Sequence, residues 1–150
     1  MMLLTRRYYF SASHRLHSAE LSEEANTELY GKCNNPYGHG HDYEVEVTVN
    51  GPVDRETGRV VDLEELDGLV QQMVTGPMEH RNLNEEVLEF QHLVPTTENL
   101  NIIIDRRLRA AWPSAFPESV PSLERVRIYE TARNIFETGP FKPNEIQSSR

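Results

Sequence analysis

One cysteine, Cys33, in a chain of 150 residues leaves no partner for an internal disulfide. That scarcity favours a reducing compartment over a secreted, disulfide-stapled fold. No stretch approaches the ~20 apolar residues needed to span a bilayer. The N-terminus lacks the long apolar core of a signal peptide. Basic residues are also short, with 15 Lys and Arg against 24 Asp and Glu, for a formal charge of -9. A nucleic-acid surface calls for a basic stripe, and none is evident. There is no GxGxxG-type dinucleotide loop, no internal repeat and no low-complexity tract. These absences set the expectation of a soluble, cytoplasmic protein without nucleic-acid or membrane partners. Its length suits a single domain over residues 1–150 with a sizeable core, ending in a loose polar tail from about 142 to 150.

What is present concentrates in Cys33-Asn34-Asn35-Pro36-Tyr37-Gly38-His39-Gly40-His41. The residues after it, Asp42 to Val49, alternate polar and apolar, the period of a half-buried strand. Side chains at i and i+2 of a strand share a face, so His39 and His41 point the same way. His14 ends another alternating run, Tyr8 to His14. If the two strands pair antiparallel, His14 meets His39 and His41 at one edge of the sheet. Three neutral imidazoles with a fourth position open make a catalytic zinc site. The spacing also allows a closed structural site with Cys33 as fourth ligand, since thiolate binds zinc better than water does. HGH alone is a weak signal.

The remaining pattern predicts strands over 1–15, about 41–53, 123–130 and 134–141. Pro52 implies an edge or bulge at the end of the second, and Pro140 ends the fourth. Residues 17–31 are expected to be mainly a connecting loop. Asp62 reads as a helix cap before an apolar stripe of Leu63, Leu66, Leu69, Val70, Met73 and Val74, stopped by Gly76-Pro77. Thr96 or Thr97 starts a second helix, continued by Leu100, Ile103, Ile104 and Leu108 to Trp112-Pro113. The order ββααββ gives an α+β fold, a four-stranded antiparallel sheet with two helices on one face.

Three further groups bear on chemistry. Cys33 sits in a Lys-Cys-Asn-Asn-Pro loop, where a nearby cation or metal would favour the thiolate and suit it as a general base. Glu79-His80 joins a carboxylate to an imidazole in the loop between the helices. Glu130, at the end of the third strand, could accept two parallel N–H bonds from an amidine-like edge such as that of a pterin. Arg15, Lys32 and Arg81 flank these residues and could meet an anionic substrate. Taken alone, each of these has an ordinary surface or packing explanation as well.

Together, FSASHRL around His14, GKCNNPYGHGHDY around Cys33, MEHRNLN around His80, PTTEN over 95–99 and IYET around Glu130 resemble the 6-pyruvoyl-tetrahydropterin synthase family. That family includes 6-carboxy-tetrahydropterin synthase of queuosine biosynthesis. The pieces stand in family order and cover about 9–139. The resemblance implies the tunnelling fold, whose sheets close into a barrel in trimers that stack as a homohexamer. It implies Zn2+ bound by His14, His39 and His41, and Cys33 as catalytic base. It implies a proton relay of His80 with Glu79, where the family usually carries aspartate. It further implies that Glu130 anchors a pterin, with Thr96, Thr97 and Glu98 lining the pocket from an adjacent subunit. The implied activity is a carbon–oxygen lyase acting on 7,8-dihydroneopterin triphosphate. Five residues separate Cys33 from His39, which resembles the pyruvoyl type; the carboxy type often has a shorter loop. The other readings are the carboxy reaction and a zinc-containing pterin-binding protein without turnover.

Overall fold

The computed structural model describes residues 1–139. Strand β1 runs over Met2–His14 and β2 over His39–Gly51. They pair antiparallel along their whole length, from Met2 opposite Gly51 to His14 opposite His39. Strand β4 (Ser122–Tyr129) pairs antiparallel with β2, with a bulge between Thr48 and Val49, and β5 (Ile135–Thr138) extends the sheet antiparallel to β4. The period-two pattern sets the faces. Phe10, Ala12, Tyr43, Val45, Val47, Leu123, Val126 and Ile128 are buried, whereas Arg7, Glu44 and Arg127 face outward and pair there, with Glu46 half-wrapped by Arg7 and Tyr129.

Helix α2 begins at Leu63 and α5 spans Thr97–Ala115. Leu66, Leu69, Val70 and Val74 from the first, and Leu100, Ile103, Ile104 and Leu108 from the second, enter the same core as the strands. Both predicted caps form. Asp62 accepts from the N–H of Glu64 at 2.9 Å, and Thr96 from that of Asn99 at 3.2 Å. The fold class is therefore the expected α+β arrangement, and the sheet of the single chain is open rather than closed into a barrel.

Several details depart from the sequence reading. Among the described residues the sheet has five strands rather than four, with a short strand added beside β1. The added strand, β3 (Arg81–Asn82), is parallel to β1 and only two residues long, too short for any periodicity to show. The expected loop over 17–31 contains helix α1 (Glu23–Tyr30), whose cap Ser22 accepts from the N–H of Ala25. Gly76-Pro77 does not stop α2. That helix spans Leu63–Val70, widens into a π turn over Gln71–Thr75 and continues as α3 (Gly76–Met78). Pro77 has no N–H for the carbonyl four residues back, Met73. That carbonyl accepts instead from Arg107 Nη1 at 3.2 Å, while the rest of the guanidinium forks onto Glu89 at 2.6 Å. Pro113 likewise lies inside α5, whose last turn still closes through Phe116 N–H to Trp112 O at 2.8 Å. Short helix α4 (Leu83–Glu86) follows β3. The expected strand end at Pro140 and Phe141, and the tail over 142–150, lie outside the described residues. Among the described residues no helix is long and apolar enough to cross a membrane.

Two glycines in this continuous helix should respond oppositely to alanine. A Cβ on Gly76 would stand 2.6 Å from the backbone oxygen of Gln71, which the π turn brings inward. Gly76→Ala is expected to cost about 1–3 kcal/mol. A Cβ on Gly68 meets nothing within 4 Å, so Gly68→Ala should stabilise by about 0.5–1 kcal/mol. Urea midpoints of the two variants check both signs.

Candidate metal centre and active site

The β1–β2 register places His14 opposite His39 and Ala12 opposite His41. Directly paired residues point to one face, so all three imidazoles emerge on the inner face at the end of the hairpin, beside Tyr43. Their ring centroids lie 4.5, 5.0 and 4.8 Å apart. One nitrogen from each falls within 4.8 Å of the others, and the Nε2 atoms of His14 and His39 are 3.0 Å apart. Two imidazole nitrogens on one tetrahedral zinc stand roughly 3.3 Å apart, so this spacing suits a shared ion.

The protonation pattern also fits. His14 is 1% exposed and donates Nδ1–H to the carbonyl of Pro95 at 2.8 Å. This fixes its tautomer and leaves the Nε2 lone pair for the centre of the group, as a carbonyl behind a metal-binding histidine does. Burial pushes the His14 pKa down to about 4 and lowers that of His39 too, so both rings are neutral and ligand-competent near pH 7. His39 Nδ1 and His41 Nε2 are buried without a hydrogen-bond partner. The three imidazoles, each turning one nitrogen toward the others, form a donor set that could hold a metal ion. Cys33 is not a member of this group, so the closed Cys-His site is not formed.

Of the other predicted residues, Glu130 stands beside the triad and the rest lie on separate turns and helix ends. Glu130 brings Oε1 to 3.4 Å from His41 Nε2, and its N–H closes the β4–β5 turn onto Asn134. Cys33 is half-buried in a 3-10 turn over Gly31–Asn34, its carbonyl accepting from Leu16 N–H at 2.7 Å. Glu79 and His80 face one another, with His80 Nε2 at 2.9 Å from Glu79 Oε1. Adjacent residues rarely manage this. Here His80 takes a left-handed conformation (φ 57°) and is pinned by its N–H to Ser11 O at 2.7 Å. Its ring is 81% exposed. His80 and His41 line one hollow of about 280 Å³, together with Ser11, Ser13 and Asp42. Thr96 is occupied as a helix cap, and Thr97 is buried with its hydroxyl unpartnered. Glu98 is exposed on the first turn of α5 and lines neither hollow beside the triad.

Of the cationic candidates, Arg15 lines a larger groove of about 830 Å³ with His17 and His92. Arg81 is engaged by Glu86 at 3.2 Å, and Lys32 is exposed in the 3-10 turn. Sequence reasoning missed the Pro95 carbonyl, since a backbone acceptor leaves no residue-type signal. It also missed the 2.5 Å bond from Ser11 Oγ to Asp42 Oδ1 in the smaller hollow, although both residues sit within the quoted motifs.

The family profile described as 6-pyruvoyl tetrahydropterin synthase matches residues 3–140. A protein of Poecilia reticulata named 6-pyruvoyl tetrahydrobiopterin synthase is 47% identical over 132 residues, covering 88% of this chain and 86% of its own. The solved 6-pyruvoyl tetrahydropterin synthase of Caenorhabditis elegans superposes with a TM-score of 0.83 at 38% identity, over 93% of this chain and 96% of that one. A putative 6-carboxy-5,6,7,8-tetrahydropterin synthase of Archaeoglobus fulgidus is more distant, 33% identical over 92 residues, which are 61% of this chain and 67% of that protein.

Two measurements follow from the triad. An unfolded histidine takes up its proton near pH 6.5, while His14 in the folded chain resists until about 4. Protein stripped of metal should therefore lose stability as pH falls through this window, by about 2 kcal/mol between pH 7 and pH 5. Urea unfolding of chelator-treated protein at the two pH values tests this, and an unchanged midpoint would contradict it. Separately, His41→Ala is expected to lose through gel filtration the divalent metal that the unaltered chain retains, as read by atomic absorption.

Proposed function

The chain belongs to the 6-pyruvoyl tetrahydropterin synthase family, and we propose that it is a working zinc-dependent synthase of that kind. Its substrate in this reading is 7,8-dihydroneopterin triphosphate, converted to 6-pyruvoyl-tetrahydropterin with elimination of triphosphate. This makes it a carbon–oxygen lyase. The observation that carries the proposal is the convergence of His14, His39 and His41 at the end of the β1–β2 hairpin, with the Glu130 carboxylate 3.4 Å from His41 Nε2. A zinc ion at the triad, with one position open, would supply a Lewis acid for a side-chain oxygen and acidify the neighbouring C–H and O–H groups.

The chain's own residues supply the rest. The Cys33 thiolate takes a proton from the substrate side chain. His80, its Nε2 held by Glu79, exchanges a proton from the opposite side; the longer carboxylate, where aspartate is usual, still reaches the ring at 2.9 Å. Glu130, at the edge of the triad, fixes the pterin by accepting two N–H bonds. The buried Thr97 hydroxyl is a further polar group available to it. The C–O bond to triphosphate breaks as an adjacent C–H proton leaves. Tautomerisation then carries the electrons of the side-chain carbinols into the ring, so the sum is redox-neutral and needs no nicotinamide.

Assembly as a homohexamer of two trimers, in the cytoplasm, belongs to the same proposal. It is supported by the sheet edges that, among the described residues, stay open at β5 and along the part of β1 that β3 leaves unpaired, which natural proteins seldom leave bare.

Zinc-loaded protein incubated with 7,8-dihydroneopterin triphosphate should yield 6-pyruvoyl-tetrahydropterin and triphosphate by mass spectrometry, without acetaldehyde. A carboxy product with acetaldehyde would assign the queuosine-type reaction instead. Tight pterin binding with no triphosphate release would mark a non-catalytic binder. In the same assay Cys33→Ala should lower kcat by about 10²–10⁴-fold while its zinc content stays at the wild-type level.

A further inference from the structure

Outside the triad, a set of side-chain to backbone hydrogen bonds gathers where β1 ends. Backbone pairing between β1 and β3 stops at Ser13 opposite Asn82, because α4 begins at Leu83. Beyond that point the side chain of Asn84 takes over. Its Oδ1 accepts from Arg15 N–H at 2.7 Å, and its Nδ2 donates to Arg15 O at 2.8 Å. One amide thus satisfies both polar groups of a residue that, among the described residues, lies past the last strand pairing of β1. Arg15 directly follows the metal-binding His14.

The other side of the same segment holds the cysteine turn. Arg15 Nε donates to Asn34 O at 3.0 Å, Leu16 N–H to Cys33 O at 2.7 Å, and Asn34 Nδ2 to Leu16 O at 2.9 Å. Residues 15 and 16 are therefore a bridge, with Asn84 on one side and Cys33-Asn34 on the other. Asn84 is itself anchored. Its N–H donates to Asn82 Oδ1 at 3.0 Å, and the Asn82 N–H to Glu86 Oε2 at 2.7 Å. Four residues upstream of Asn84, His80 is fixed to Ser11 on the same strand β1.

We infer that Asn84 is a positioning residue: by clamping Arg15 it holds the Cys33 turn and the Glu79–His80 corner in one register around His14. The inference rests on the proposed roles of Cys33 and of Glu79–His80 in proton transfer. The clamp requires a donor and an acceptor side by side, which asparagine has at this reach. Aspartate offers acceptors alone, and alanine neither.

The test is made on full-length, zinc-loaded protein. Asn84→Ala should lower kcat about tenfold or more with KM changed less than about threefold, since a displacement near 1 Å can cost 10²-fold. It should also shift the rate at which iodoacetamide alkylates Cys33 by about threefold or more, because local geometry and access set thiol reactivity. Asn84→Asp, which keeps the acceptor for Arg15 N–H, should fall between wild type and alanine in both readouts. Asn101→Ala removes a buried bond to Val126 O far from this bridge; it should lower the unfolding midpoint while leaving kcat and alkylation unchanged. If Asn84→Ala fails to fold, Asn34→Ala and Asn84→Asp carry the same readouts. Wild-type alkylation in the Asn84 variants, kcat within about twofold of wild type, or an equal alkylation shift in Asn101→Ala would overturn the inference. Should the unaltered protein release no triphosphate, the proposed function fails, and the alkylation comparison still decides the clamp.

Discussion

The antiparallel ladder between β1 and β2 is the constraint on which the site depends. It is 13 residues long on each strand, and its last rung is His14 opposite His39. A slip of one residue would turn a strand's whole inner set outward. It would expose Tyr43 and the valines of β2 and move His39 and His41 to the charged face. Core packing and the grouping of three imidazoles that could hold a metal ion are thus enforced by the same hydrogen bonds. The valines hold the register, and the histidines at the open end inherit it.

That arrangement has an energetic cost that the rest of the site offsets. His14 is buried beside two other imidazoles, where protonation is disfavoured first by desolvation and then by its neighbours. The Pro95 carbonyl returns one hydrogen bond to it. Phe10 stacks on Tyr43 with ring centroids 5.1 Å apart, and Tyr43 in turn packs against His14 and His41. The apolar floor raises the worth of any charge interaction above it. His80, by contrast, stands in a wetter place, its ring exposed to solvent.

Much of this was legible in the amino-acid order. Alternation at 8–14 and 42–49, caps at Asp62 and Thr96, and the spacing of His39 and His41 are local signals, each confined to a few residues. What escaped was carried by partners distant in sequence. The continuation of α2 past Pro77 depends on Arg107, which supplies the donor that proline lacks. The two-residue β3 exists because β1 offers it an edge. The mutual approach of Glu79 and His80 follows from one left-handed backbone angle at a non-glycine residue, which residue type alone did not announce. The bridge through Asn84 spans 69 positions to Arg15. The strongest clue to the site as a whole was the joint occurrence of five motifs in order.

The π turn over Gln71–Thr75 adds one residue to the helix that leads, through α3, to Glu79. Each residue of an α-helix advances the chain by about 100° and 1.5 Å. Loss of a single residue here would leave a plausible straight helix, yet it would swing everything downstream by over a quarter of a circle and carry the carboxylate away from Ser11. The corner bearing Glu79 and His80 is therefore sensitive to the length of the helix before it as well as to its composition. The spacing between Asp62 and His80 thus acts as a ruler that sets where the Glu79–His80 corner meets β1.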